Sequence, residues 1–197
     1  MRVIGITGGV GAGKSTVLSI LNRICRCLTI QADDVAKKLM VFDEKVISCA
    51  YELFGSDAYV SGEINRPLLA SRIYGSDDIR NRWNNIIHPA TNAKIFALID
   101  EARISGEYDY VFVEAALLIE NHYDEVCDEL WYVRASEDIR IERLMSQRGY
   151  TLSKCRDIIN SQMSDEDFLA HCDYVIDSGK TPDEILVQLQ NRLEEYA

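Results

Sequence analysis

Long apolar runs are missing from this 197-residue chain, and none approaches the roughly 20 residues that a helix needs to cross a bilayer. The opening Met1-Arg2-Val3-Ile4-Gly5-Ile6-Thr7 carries one basic residue and meets glycines before the apolar centre of a secretory signal can form, so the expected location is cytoplasmic. Proline is scarce, with Pro67, Pro89 and Pro182 only, and no Pro/Gly/Ser-rich linker, repeat or low-complexity tract interrupts the sequence. Zinc-type spacing is also lacking. Cys25, Cys27, Cys49, Cys127, Cys155 and Cys172 form no Cys-x-x-Cys pair, and His88, His122 and His171 are not placed to complete a site. A chain of this length buries roughly 70% of its unfolded surface, so it needs no disulfide, and its cysteines are expected to be reduced and mostly packed. Positive charge is in deficit, 21 Lys and Arg against 32 Asp and Glu for a net −11. That field repels nucleic acid and anionic membranes, while a small anion held by local donors remains compatible with it.

What is present is an alternation of short apolar runs with helical stretches, the pattern of an α/β layer fold built on a mainly parallel sheet. Strands are expected at Val3–Ile6, Cys27–Ile30, Tyr110–Val113, Leu130–Val133 and Tyr174–Ile176. Helical spacing marks Ser15–Cys25, Asp33–Met40, Ser136–Ser146, Ser153–Met163 and Pro182–Tyr196. The stretch from Asp43 to Arg103 shows no obvious strand and reads as mostly helical, punctuated by Gly62 and Pro67.

The strongest local signal is Gly8-Gly9-Val10-Gly11-Ala12-Gly13-Lys14-Ser15. It fits Gly-x-x-x-x-Gly-Lys-Ser/Thr, directly after a strand and directly before an amphipathic helix. Glycines let successive N–H groups turn inward as an anion nest, and the helix start adds its own free N–H groups. Lys14 can reach β- and γ-phosphates, and the Ser15 hydroxyl can ligate Mg²⁺. The expected ligand is therefore a nucleoside triphosphate, held by Gly9 to Thr16. No register fits Gly-x-G-x-x-Gly, and no Asn-Lys-x-Asp for guanine is present. A chain of this size with an insertion after its second strand suits a small kinase.

Such an enzyme needs a group to orient and deprotonate the acceptor hydroxyl. Asp33, just after the second strand, is the candidate base, with Asp34 turned about 100° away on a helix; the plainer role for Asp33 is a helix cap. Arg143 and Arg148 are candidate phosphoryl cations, whereas Arg140 reads as a solvated residue paired with Glu137 and Glu142. Glu114, ending the third strand, is placed for Mg²⁺-bound water or for a structural hydrogen bond.

Several separated motifs, taken in order, resemble the dephospho-CoA kinase family. They are Ile4 through Thr16, Gln31-Ala32-Asp33, Gly62-Glu63-Ile64-Asn65-Arg66, Ile86-Ile87-His88-Pro89, Leu117-Leu118-Ile119-Glu120, Arg143 through Arg148, Gln162-Met163 and Asp173-Tyr174-Val175-Ile176. The resemblance implies transfer of the γ-phosphoryl of ATP, with Mg²⁺, to the ribose 3′-hydroxyl of dephospho-CoA. It implies a P-loop kinase fold, a five-stranded parallel sheet flanked by helices with a helical acceptor-binding insertion and a helical lid. The nucleotide core would comprise 1–33, 104–135 and 172–197, the acceptor region 34–103, and the lid with nucleotide-side helices 136–171. Gln31, Arg66, His88, Leu117 and Glu120 would contact the acceptor. Partners would be these small molecules, with no nucleic acid or membrane, and the protein a monomer or weak homo-oligomer. The sequence departs from the family pattern at Gln31, Ala116, Phe168, where many members are basic, and Ser178. Two other readings share the glycine loop, namely another small P-loop kinase and a non-catalytic nucleotide-binding regulator.

Overall fold

The structure, a computed structural model, describes residues 1–115, 118, 119 and 123–196. The chain opens with β1 (Arg2–Thr7), α1 (Lys14–Ile24) and β2 (Cys27–Gln31). It continues through α2 (Ala32–Phe42), α3 (Glu44–Phe54), β3 (Tyr59–Val60), β4 (Glu63–Ile64), α4 (Arg66–Gly75) and α5 (Asp77–Ser105). It then returns through β5 (Tyr110–Glu114), β6 (Glu129–Arg134), α6 (Glu137–Arg148), α7 (Leu152–Asn160), α8 (Asp165–His171), β7 (Tyr174–Asp177) and α9 (Pro182–Glu194). Two compact units result, one of residues 1–30 with 101–197 and the other of 31–100.

In the first unit the strand order is β2-β5-β1-β6-β7. The registers Ile4 with Phe112, Ile6 with Trp131, and Tyr132 with Val175 are parallel. A central parallel strand is buried on both faces, which explains why Val3–Ile6 is apolar without alternation. Aspartates standing just before two strands fix their entry. Asp128 accepts from the Val3 N–H at 2.7 Å and donates its own N–H to the Val3 carbonyl at 2.7 Å. Asp173 treats Leu130 in the same way, at 2.8 Å each.

One face of this sheet packs Ile4, Ile6, Phe112 and Trp131 against Val17 and Leu21 of α1 and Leu189 of α9. Its rings meet in sequence, Tyr110 on Phe112 at 5.9 Å, Phe112 on Trp131 at 5.8 Å and Trp131 on Tyr174 at 5.5 Å. Each such pair adds about 0.5–1.5 kcal/mol beyond burial. α9 begins where the sequence says it should, with Pro182 in its first turn and a Thr181–Glu184 capping box.

The expected helix Ser153–Met163 ends early, at Asn160, and a separate short helix follows at α8. Ser164 caps that helix by accepting from the Asp167 N–H at 3.1 Å. Phe168 is buried, its ring stacked on Tyr132 at 4.6 Å.

The stretch expected to be mostly helical, with no obvious strand, also holds in the second unit a two-stranded hairpin, Tyr59–Val60 against Glu63–Ile64. Its turn residues Ser61 and Gly62 have φ of 53° and 82°, the two left-handed positions that a tight hairpin turn requires. Asp43 caps α3 through the Val46 N–H at 3.0 Å, and Asn65 caps α4 through the Leu68 N–H at 3.3 Å. The core of this unit centres on Phe54 and Trp83, edge to face at 5.2 Å.

Candidate active site

The loop between β1 and α1 takes its shape from close approaches. At Gly8, φ is 144° and a Cβ would sit 2.5 Å from the Val133 carbonyl oxygen on the neighbouring strand, so no side chain fits. Gly13, at φ 93°, caps α1 in a left-handed conformation. The Lys14 ammonium donates to the Gly8 carbonyl at 2.8 Å and lies 3.5 Å from the Glu114 carboxylate at the end of β5. Ser15 and Thr16 are exposed on the first turn of α1, where the Thr16 N–H bonds to the Gly13 carbonyl at 3.0 Å.

Among the described residues no three His, Cys, Asp or Glu side chains gather as a metal site. The oxygen donors present, the Ser15 hydroxyl and the Glu114 carboxylate, are the hard type that suits Mg²⁺. They are compatible with a hard divalent cation, the hydroxyl as a ligand and the carboxylate as an acceptor for cation-bound water.

Two arginines of α6 lie behind the loop. Arg140 donates to the Val10 carbonyl at 2.9 Å and to the Gln162 side-chain oxygen at 2.7 Å, while that same oxygen accepts from the Val10 N–H at 3.0 Å. The expected pairing of Arg140 with Glu137 and Glu142 gives way to these bonds, and burial lowers its pKa from the ordinary guanidinium value. Arg143 donates to the Gly11 and Ala12 carbonyls at 3.2 Å each and to the Ser178 carbonyl at 2.7 Å. The buried Ser178 hydroxyl in turn donates to the Ala12 carbonyl. Arg148 is exposed in the last turn of α6, with no hydrogen bond or ion pair among the described residues. Sequence reasoning missed the part played by Arg140. The three-residue spacing of 140 and 143 was visible, but not which surface that face meets.

In the second unit, Asp33 is exposed in the first turn of α2 and has no hydrogen bond or ion pair among the described residues. Asp34 is committed to Lys37 at 2.7 Å, and that hydrogen bond holds its carboxyl below the usual range. Gln31 ends β2 and is the N-cap residue of α2, and Arg66 is exposed at the start of α4. His88 is half-buried within α5, directly before Pro89. Leu117 and Glu120 lie outside the described residues.

A central parallel strand that runs into a glycine loop and a helix, with a lysine across the loop's mouth, defines a P-loop nucleotide-binding fold. Solved structures share this fold. TT1252 from Thermus thermophilus matches with a TM-score of 0.83 and 24% identity, over 100% of this chain and 98% of that one. A dephospho-CoA kinase from Campylobacter jejuni matches with 0.74 and 19% identity, over 98% and 96%. A shikimate kinase from Acinetobacter baumannii matches with 0.52 and 14% identity, over 99% and 94%. A family model described as dephospho-CoA kinase matches residues 2–183. The dephospho-CoA kinase of Corynebacterium diphtheriae is 35% identical over 98% of this chain and 96% of its own length. That of Geobacter sulfurreducens is 33% identical over 99% and 96%. The chain belongs to the dephospho-CoA kinase family.

Proposed function

We infer that this chain transfers the γ-phosphoryl group of ATP to the ribose 3′-hydroxyl of dephospho-CoA, giving coenzyme A and ADP, the last step of coenzyme A synthesis. The observation that carries the chemistry is Lys14, held across the glycine loop between the Gly8 carbonyl and Glu114. An ammonium bonded to a neutral carbonyl is easily drawn onto a β- or γ-phosphate oxygen, and the loop amides with the α1 start receive the remaining oxygens. Ser15 would hold Mg²⁺ directly and Glu114 through bound water. Mg²⁺ bound there would supply charge that neutralises the triphosphate.

Asp33 accepts the 3′-hydroxyl proton as that oxygen bonds to the γ-phosphorus and the bridging bond to ADP breaks. Asp34, tied to Lys37, is the poorer candidate. Arg148 adds positive charge at the transferring phosphoryl, and Arg143 stands behind the loop. Gln31, Arg66 and His88, with Leu117 and Glu120, take the acceptor. We place the reaction in the cytoplasm, catalysed by a monomer or weak homo-oligomer. Among the described residues no helix is long and apolar enough to cross a membrane.

The test is a product assay with Mg-ATP and dephospho-CoA, read by mass spectrometry. Wild type should form a species at the mass of coenzyme A, and Lys14→Ala should lose at least about a hundredfold in rate, the scale of one lost transition-state donor. Wild type that binds ATP but yields no coenzyme A refutes the assignment.

A further inference from the structure

The two arginines behind the loop lie three residues apart on α6, and between them they bind three consecutive loop carbonyls, those of Val10, Gly11 and Ala12. A trans peptide is planar, with its C=O and the following N–H pointing in opposite directions. Holding the carbonyls of Val10 and Ala12 on the α6 side therefore turns the N–H groups of Gly11 and Gly13 to the opposite side. Neither N–H has an acceptor among the described residues. The Ala12 N–H closes a turn onto the Gly9 carbonyl at 3.1 Å. Gln162 completes the brace, because it takes the Val10 N–H while receiving Arg140.

Neither arginine forms an ion pair among the described residues, and their hydrogen bonds go to peptide carbonyls, the Gln162 side chain and the Ser178 hydroxyl. A cation on the carbonyl of a peptide also polarises its N–H, making it a stronger donor to an anion. Gly9 fits the same design, since a Cβ there would lie 2.2 Å from the Arg140 guanidinium.

We propose that Arg140 and Arg143 are positioning residues, which act through the loop backbone by aiming the Gly11 and Gly13 amides at the triphosphate from behind. They set the phosphate site before ATP arrives and make no bond to the transferring phosphoryl. This rests on the loop being the triphosphate site.

The experiment titrates the full chain with Mg-ATP and with Mg-tripolyphosphate, in wild type, Arg140→Met, Arg143→Met, Arg140→Lys and Gln162→Met. The amide resonances of Gly11 and Gly13 are followed by ¹⁵N NMR. Each methionine variant at 140 or 143 should weaken both probes about tenfold and reduce the amide shifts that tripolyphosphate induces, with Tm close to wild type. Arg140→Lys should remain weak, because one ammonium cannot bridge Val10 and Gln162 as the guanidinium fork does. Gln162→Met leaves both arginines in place and should weaken both probes about threefold, so the proposal stays testable if an arginine variant fails to fold. Unchanged affinity in the variants, or full rescue by lysine, overturns the proposal. Wild type that binds neither probe refutes instead the reading of the loop.

Discussion

Glu129, at the first position of β6, collects three donors on one carboxylate. The Trp131 indole N–H lies at 3.0 Å and Arg192 at 2.7 Å, and the Tyr196 hydroxyl also donates to it. Arg192 and Tyr196 belong to the C-terminal segment, so this carboxylate ties α9 to the sheet. Burial pushes its pKa up, but hydrogen bonds from Tyr196, Trp131 and Arg192 outweigh burial and leave it below the ordinary 4.5. A depressed carboxylate contributes stability that is present above its unfolded pKa and lost as pH falls through its folded pKa. Glu129→Gln should therefore cost about 1–3 kcal/mol at pH 7, and the gap from wild type should narrow as pH falls below the ordinary carboxylate range. Urea unfolding measured across pH 3 to 7 checks this, and a gap independent of pH would contradict it. At this scale, legibility followed sequence distance. Lys14 and Ser15 were readable because the loop motif is local, whereas the partner of Arg140 lies 130 residues away.

Among the elements, the five strands of the parallel sheet and most helices followed from the pattern of apolar residues, because each buries a face set by its own residues. The misreadings occurred where a local turn competed with periodicity. Ser161 is the C-cap of α7, and the Gln162 N–H then turns onto the Ile159 carbonyl at 3.2 Å, which delivers Gln162 to the loop. The signal for α8, Ser164 before three acids, was present but short. That helix has only 7 residues and is held from outside. Asp165 accepts from the Tyr132 hydroxyl at 2.6 Å and pairs with Arg134 at 2.7 Å, while Phe168 stacks on the Tyr132 ring. Phe168→Ala removes both stacking and burial and should cost about 3–5 kcal/mol if the whole molecule senses it. Hydrogen exchange should show protection lost first over 160–171, because so short a helix is marginal without its tertiary contact. Uniform loss across the sheet would contradict that role for α8. The departure at position 168 is thus explained by packing. The hairpin of the second unit was missed for a similar reason, since two residues per strand give no alternation to read.

For the whole molecule, the order of motifs along the chain carried the family, and the sheet order β2-β5-β1-β6-β7 places the loop strand at its centre. No disulfide is present among the described residues. The acidic balance of −11 leaves anion binding to local donors, and the loop amides with Lys14 are the local answer. The groups proposed to hold ATP lie in the first unit, and Asp33 belongs to the second. The two carboxylates at the start of α2 are distinguished by one contact, the bond of Asp34 to Lys37. The most direct measurement is a single-turnover transfer of labelled γ-phosphoryl from ATP to dephospho-CoA in wild type, Asp33→Asn and Asp34→Asn, with Mg-ATP affinity measured alongside. The predicted result is a loss of about 10²–10⁴ in the rate of Asp33→Asn at unchanged ATP affinity, with Asp34→Asn within about threefold of wild type. Full transfer by Asp33→Asn, or a loss confined to Asp34→Asn, would contradict it.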